Sequence, residues 1–191
     1  MEELKQRILR DGRALNSEVL LVDSFLNHQV DPRLMQKIGM EFARRFREAG
    51  VTKIATIEAS GIAPATMTAL EMGVSMVILK KSVSSILSEG ILQTEVFSFT
   101  KNKAYQLTLK SQFISPEDRV LLIDDFLANG EAAFGAIRLI ERAGARIAGV
   151  GAVIAKAFQP GLEKLRKAGY AVEALAPVRE MREGRILFAD D

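Results

Sequence analysis

Apolar residues in this chain gather into short unbroken runs, separated by longer segments in which they recur every three or four positions. The runs at residues 52–57, 76–80, 120–123 and 147–155 have the length of strands buried on both faces. The segments between them, residues 63–72, 132–143 and 161–167, carry helical spacing. Strand and helix alternate, and that order builds a parallel sheet with helices packed on it. The expected fold is therefore α/β, a doubly wound and mainly parallel sheet flanked by helices.

Four regions depart from the alternation. Residues 31–50 read as an amphipathic helix ahead of the first core strand, with Pro32 at its start and Gly50 after its end. Before it, residues 15–28 mix a short apolar strand with polar positions. Residues 81–110 are rich in Ser, Thr and Lys and contain two alternating segments, 94–99 and 105–109, which read as a hairpin. Residues 172–188 read as two short strands divided by Glu183 and Gly184. With 191 residues and no internal repeat or low-complexity linker, one domain spanning 1–191 is expected.

Composition narrows the function classes. Apolar residues make up 48% and charged residues 26%, ordinary for a soluble protein, and a net charge of +2 makes no case for nucleic acid or membrane. The absence of cysteine excludes disulfides, thiolate chemistry and cysteine-based zinc sites. The opening residues MEELKQRILRDGR alternate charge and lack a long apolar core, so no secretory signal is expected. No stretch approaches the roughly 20 apolar residues of a spanning helix. A cytoplasmic protein is the expectation.

The candidate chemistry begins where the run Val120, Leu121, Leu122, Ile123 meets Asp124 and Asp125, followed after two residues by Ala128, Asn129, Gly130, Glu131 and Ala132. In an open α/β sheet the two acids fall at a strand's carboxyl end, where ligands bind. Carboxylates accept hydrogen bonds from vicinal hydroxyls, and small residues opening a helix let backbone N–H groups close around a phosphate. Glu131 is the awkward member, because a carboxylate beside a phosphate repels it unless its side chain turns away. A second loop, Glu58, Ala59, Ser60 and Gly61, joins an earlier strand to its helix and offers a similar anion cradle, though by itself a Ser-Gly turn is ordinary connection. Lys80 and Lys81, at the root of the 81–110 segment, are better candidates for phosphate binding than the lysines farther out.

The run from Val120 to Ala132 resembles the phosphoribosyl pyrophosphate (PRPP) signature of the type I phosphoribosyltransferases, with Asn129 and Ala132 standing where many members carry threonine. The Ala-Asn-Gly-x-Ala loop, the segment from Leu20 to Gln29 and the segment from Ile154 to Gly161 are similar to the bacterial xanthine phosphoribosyltransferases, and that similarity runs essentially from end to end. The resemblance implies a purine-salvage transferase that moves the ribosyl 5-phosphate group from PRPP to xanthine. Asp124 and Asp125 would serve the ribose, residues 128–132 its phosphate, and Glu58, Ala59, Ser60 and Gly61 a pyrophosphate loop in which Glu58 is structural or metal-facing.

The same resemblance places Leu20, Asn27 and Lys156 at the base, with Phe158 as a stacking candidate. It also implies Mg2+ arriving with PRPP, and it names no protein residue as the metal's direct ligand. Further implications are a homodimer, a small hood from residues 1–30 and 156–191, and a flexible lid hairpin over 81–110. His28, the only histidine, is given no catalytic role. The competing readings are an enzyme for another purine base, and a PRPP-sensing regulator that binds nucleic acid. Against the regulator stand the small charge excess and the lack of any recognisable helix-turn-helix.

Overall fold

The computed structural model describes residues 1–81, 90–98, 102–182 and 184–189. An amino-terminal helix α1 (Glu2–Asp11) leads into two short antiparallel strands, β1 (Arg13–Ala14) and β2 (Leu20–Leu21). A π-helical turn (Asp23–Asn27) and α2 (Pro32–Arg45) follow. The core then unfolds as β3 (Lys53–Ile57), α3 (Ile62–Met72) and β4 (Ser75–Leu79). Next come the strands β5 (Ile91–Ser98) and β6 (Lys103–Lys110), then β7 (Arg119–Leu127), α4 (Glu131–Arg142), β8 (Arg146–Lys156) and α5 (Gly161–Lys167). The chain closes with β9 (Val172–Arg182) and β10 (Arg185–Phe188).

Six strands form one sheet in the order β10-β9-β8-β7-β3-β4. All neighbours run parallel except β10, which returns antiparallel to β9. The long apolar runs of β7 and β8 are buried because helices cover both faces of the sheet. One core lies under α1, α2 and α3 and includes Ile8, Phe25, Phe42, Ile54, Leu121 and Val178. The other lies under α4 and α5 and includes Ala55, Leu122, Ile137, Leu165 and the hairpin residues Val96 and Leu107. Amino- and carboxyl-terminal segments thus share the first core.

Local chemistry explains where elements begin. The Asp31 carboxylate accepts from the N–H groups of Arg33 and Leu34 at 3.1 Å each, with Pro32 in the first turn, so α2 starts as its sequence predicts. It stops at Arg45, earlier than the spacing suggests, and a 3-10 turn (Arg47–Ala49) runs to Gly50 in the left-handed region at φ 63. The cause is tertiary: the Phe46 ring lies against the bare backbone of Gly149, where a Cβ would sit 2.4 Å from Cε1.

Other differences have similar origins. Residues 172–182 form one eleven-residue strand rather than a short one, because its first part pairs with β8 and its last part with β10. Strand β7 continues through both acids to Leu127, since Asp124, Phe126 and Leu127 keep pairing with Ala152, Ile154 and Ala155. The hairpin is longer than expected within its described residues, and the two strands together pack on α4. Gly135 makes that contact, with its missing Cβ only 2.4 Å from Val96 Cγ2, while Arg142 donates to the Gln93 carbonyl at 2.7 Å. Residues 82–89 and 99–101 of the expected lid, and Glu183 of the expected turn, lie outside the described residues.

At the amino ends of β3 and β7 a buried carboxylate ties the sheet to its connections. Asp118 accepts from Lys53 Nζ at 2.6 Å, Thr52 Oγ1 at 3.0 Å and the Ser115 N–H at 2.7 Å. Burial opposes its ionisation, but Lys53, Ser115 and Thr52 together hold it below the usual carboxylate range.

The crossing of α2 and α3 supplies a test of packing against propensity. A Cβ on Gly39 would lie 2.6 Å from the Met67 carbonyl carbon and 2.7 Å from its oxygen. Helix propensity favours Gly39→Ala by about 1 kcal/mol, whereas forcing the two helices apart costs about 1–3 kcal/mol. Gly39→Ala is expected to lower the urea midpoint without changing the slope of unfolding. A midpoint equal to or above that of the unsubstituted protein would show that the helices separate freely.

Candidate active site

Strand β3 is the point from which the sheet is wound both ways, toward β4 on one side and toward β7, β8 and β9 on the other. In such sheets the connections leave the two central strands in opposite directions, and a crevice opens at their carboxyl ends. Here the pairing of β3 with β7 ends at Ala55 and Leu122. Beyond that pair each strand carries its own polar loop, and between the loops lies a cavity of about 580 Å³.

One wall of the cavity is formed by Asp124, Asp125 and the whole loop of Ala128, Asn129, Gly130, Glu131 and Ala132. Gly130 has φ +90, a backbone shape that a side chain opposes, and it stands immediately before α4. The first N–H groups of a helix lack partners within it, so the loop presents donors and the positive end of the α4 dipole. Glu131 reaches toward Lys164 on α5, with Oε1 3.5 Å from Nζ, so its charge is partly answered outside the loop.

The acids differ in their surroundings. Burial first, and then the neighbouring Asp125 carboxylate, push the Asp124 carboxyl well above the usual carboxylate range; the Asp125 N–H donates to Asp124 Oδ1 at 3.0 Å and works the other way, as does the Lys81 ammonium. Tyr105, on β6, also lines the cavity, and burial together with the Asp124 charge raises its phenol. The Lys81 ammonium sits 5.8 Å from the centre of the Tyr105 ring. Phe97, Ser98, Lys103 and Ala104 complete this hairpin wall.

Of the second loop, Glu58 and Ser60 reach the cavity. Glu58 Oε1 accepts from the Lys81 N–H at 2.6 Å, and Oε2 lies 3.1 Å from Lys80 Nζ. Burial opposes this carboxylate, yet the Lys81 N–H and the Lys80 ammonium keep it below its usual range. The Glu58–Ala59 peptide is cis. Ala59 and Gly61 are not on the cavity wall. Gly61 packs behind it, where a Cβ would meet Thr56 Oγ1 at 2.3 Å and Asp124 Oδ1 at 3.2 Å. The Thr56 hydroxyl is buried and has no hydrogen-bond partner among the described residues.

The three expected base residues stand apart from that wall. Leu20 is buried on β2, and Asn27 is exposed at the end of the π-helical turn. Lys156, at the end of β8, is half-buried; its ammonium donates to the Glu18 carbonyl and lies 5.8 Å from the centre of the Phe126 ring, which does line the cavity. Burial lowers the Lys156 pKa, and the Glu18 charge opposes that shift. Phe158 is exposed.

Three residues with positions of consequence were not signalled by the sequence. Thr56 reads as an ordinary strand residue, Tyr105 as a hairpin position and Gly161 as a helix start. Their places become visible only in the fold, where Thr56 lies beneath Gly61, Tyr105 stands on the cavity wall beside Lys81, and Gly161 packs on the Ala128–Gly130 backbone.

No protein-family model matches the chain. Full-length relatives do. It is 56% identical over 188 residues to xanthine phosphoribosyltransferase 1 of Clostridium botulinum, covering 98% of this chain and 99% of that one. It is 54% identical over 190 residues to xanthine phosphoribosyltransferase of Stutzerimonas stutzeri, covering 100% of both chains. Among solved structures, adenine phosphoribosyltransferase from Rhodothermus marinus superposes with a TM-score of 0.74 at 24% identity, over 92% of this chain and 97% of the other, which establishes the shared fold. With relatives of that identity along its full length, and a switch-point cavity flanked by its acid pair and small-residue loops, the chain belongs to the xanthine phosphoribosyltransferase family.

Proposed function

We propose that this protein transfers the ribosyl 5-phosphate group of PRPP to xanthine, giving xanthosine monophosphate and pyrophosphate in purine salvage. The observation that carries the reading is the meeting of Asp124 and Asp125 with two small-residue loops around one cavity at the sheet's switch point. The Ala128–Ala132 loop holds the 5-phosphate, and the Glu58–Gly61 loop, with Ser60 on the wall, receives the pyrophosphate. In the reaction the bond from the anomeric carbon to pyrophosphate breaks, and an imidazole-ring nitrogen of the base bonds to that carbon from the opposite face. Positive charge grows on the ribose between these events. Asp124 and Asp125 accept from the ribose hydroxyls and stabilise that charge, so catalysis is positioning plus electrostatics.

Among the described residues no group of three or more His, Cys, Asp or Glu side chains could hold a metal by itself. The donor set present, the Asp124 and Asp125 carboxylates with Glu58 on the same cavity, fits a magnesium ion carried in on PRPP, because Mg2+ commonly binds through one or two carboxylates and substrate phosphates. When bound it neutralises the departing pyrophosphate.

The base enters from the Lys156 side. A half-buried ammonium beside Phe126 favours xanthine, whose ring carbonyls and easily lost proton supply negative charge, over an amino-purine. Residues 1–30 and 156–191 act as the hood over this side, and Leu175, Val178 and Met181 of β9 join Leu4 and Ile8 of α1 in the first core. No helix among the described residues is long and apolar enough to cross a membrane, and a cytoplasmic location suits a salvage enzyme. A homodimer is supported by the apolar side chains left open on adjacent helices: Leu70 on α3 is 72% exposed and Met40 on α2 is 49% exposed.

Four outcomes are expected. Asp125→Asn folds normally and loses at least about 100-fold in turnover, since the amide keeps the shape and removes charge opposite a cationic centre; near-normal initial rates would remove Asp125 from the ribose. Lys156→Ala lowers kcat/KM for xanthine by about 10- to 150-fold, the worth of a charge-assisted hydrogen bond, with PRPP affinity retained. A collapse of PRPP affinity at unchanged base preference would instead assign Lys156 to the phosphate side.

Asp124 carries a signed pH dependence. Its folded pKa is raised, so the stability it contributes is complete below the unfolded pKa and is lost as pH rises through the folded one. Asp124→Asn removes that loss: its Tm should match the unsubstituted protein near about pH 3 and exceed it increasingly toward neutral pH. A Tm difference that does not vary with pH would count against the raised carboxyl. Finally, Leu70→Glu should halve the mass in sedimentation at fixed concentration, and an unchanged mass would take α3 out of the dimer contact.

A further inference from the structure

The segment from Lys156 to Gly161 stands between the proposed base side and the phosphate loop, and its geometry gives it more than a connecting role. The Gln159 N–H donates to the Lys156 carbonyl at 2.8 Å, closing a tight turn directly after β8. Two residues later the Gly161 N–H donates to the Ala128 carbonyl at 3.0 Å. Here the contact is backbone on backbone. A Cβ on Gly161 would lie 2.3 Å from the Ala128 oxygen, 2.7 Å from the Gly130 nitrogen and 2.9 Å from the Asn129 carbonyl carbon. Seen from the loop, a Cβ on Gly130 would lie 3.1 Å from Gly161 Cα. None of these atoms is the end of a flexible side chain, so neither side can yield without the other moving.

We propose that Gly161 is a positioning residue that locks the Lys156–Gly161 turn to the Ala128–Ala132 loop, so that seating of the ribose phosphate and seating of the purine are energetically coupled. The inference rests on the reading above, in which Lys156 meets the base and the loop meets the phosphate. Purine held at Lys156 fixes the turn, the turn fixes Ala128 and Gly130, and the phosphate then meets donors already in place. By reciprocity, a bound phosphate sharpens the base side by the same factor. The Glu131 and Lys164 pair, which joins the loop's far end to α5, closes the unit from the other side.

Ribose 5-phosphate is the probe, because it fills the phosphate and ribose positions and has no pyrophosphate to lose, so xanthine can be present without turnover. Its affinity is measured by calorimetry with and without saturating xanthine, in the unsubstituted protein, in Gly161→Ala and in Gly169→Ala. Gly169 ends α5 at φ +89 with nothing within 4 Å of its missing Cβ, so Gly169→Ala strains the same helix without touching the loop. In the unsubstituted protein xanthine should tighten ribose 5-phosphate about fivefold or more, the usual lower range of coupling between sites. Gly161→Ala should bind ribose 5-phosphate at least about tenfold more weakly and lose the effect of xanthine, while Gly169→Ala keeps both even at a lowered Tm.

Several results overturn the proposal. Independent binding of the two ligands in the unsubstituted protein removes the coupling while leaving the site assignments intact, and this arm decides the matter even if Gly161→Ala does not fold. Full coupling retained in Gly161→Ala removes Gly161 from it. Equal losses in Gly161→Ala and Gly169→Ala reduce the role to general stability. Failure of the unsubstituted protein to bind ribose 5-phosphate at all overturns the phosphate-loop reading itself, and the coupling with it.

Discussion

Strands β3 and β7 are held together only as far as Ala55 and Leu122, and past that pair their backbones need other partners. β7 keeps its pairing with β8 as far as Leu127, while β3 keeps its pairing with β4 to Ile57 and then turns into the Glu58–Gly61 loop. A fully paired sheet would have no room there for two carboxylates and an anion cradle. The opening is therefore a consequence of strand order: β3 must send its helix to one face and β7 must send its own to the other, and the loops part as they leave.

The arrangement trades stability for chemistry. Asp124 is held where burial and Asp125 disfavour its charge, Thr56 keeps a buried hydroxyl with no partner among the described residues, and Gly130 and Gly61 occupy places where a side chain would collide or strain. Each of these is a local violation of the rules that govern the rest of the sheet, where the cores on both faces are apolar and closely filled. They cluster around one cavity, and proteins tolerate such departures at working sites because the surrounding packing supports them.

Much of the fold is legible in the sequence because runs such as 120–123 and 147–155 admit few readings other than buried parallel strands, and the helices between them have clear spacing and caps. What resists reading depends on distant partners. Phe46 ends α2 early by packing on Gly149, and the β9 strand is long because two different neighbours share it. The acid pair and the two small-residue loops stand out in local composition, and the structure brings the acids, residues 128–132, Glu58 and Ser60 to one cavity. Thr56, Tyr105 and Gly161 cannot, because their significance lies in a contact across strands or between loops. Lys156 is intermediate: resemblance singles it out, and the structure sets it beside Phe126 rather than on the cavity wall.

The buried Asp118 cluster lies at the opposite end of β3 and β7 from the cavity, tying Lys53, Thr52 and Ser115 together at their amino ends. Two strands clasped at one end and parted at the other resemble forceps with a fixed hinge. The gap beyond Ala55 and Leu122 is therefore not widened by parting the two strands along their whole length, because the clasp holds their far ends and each strand stays paired on its outer side.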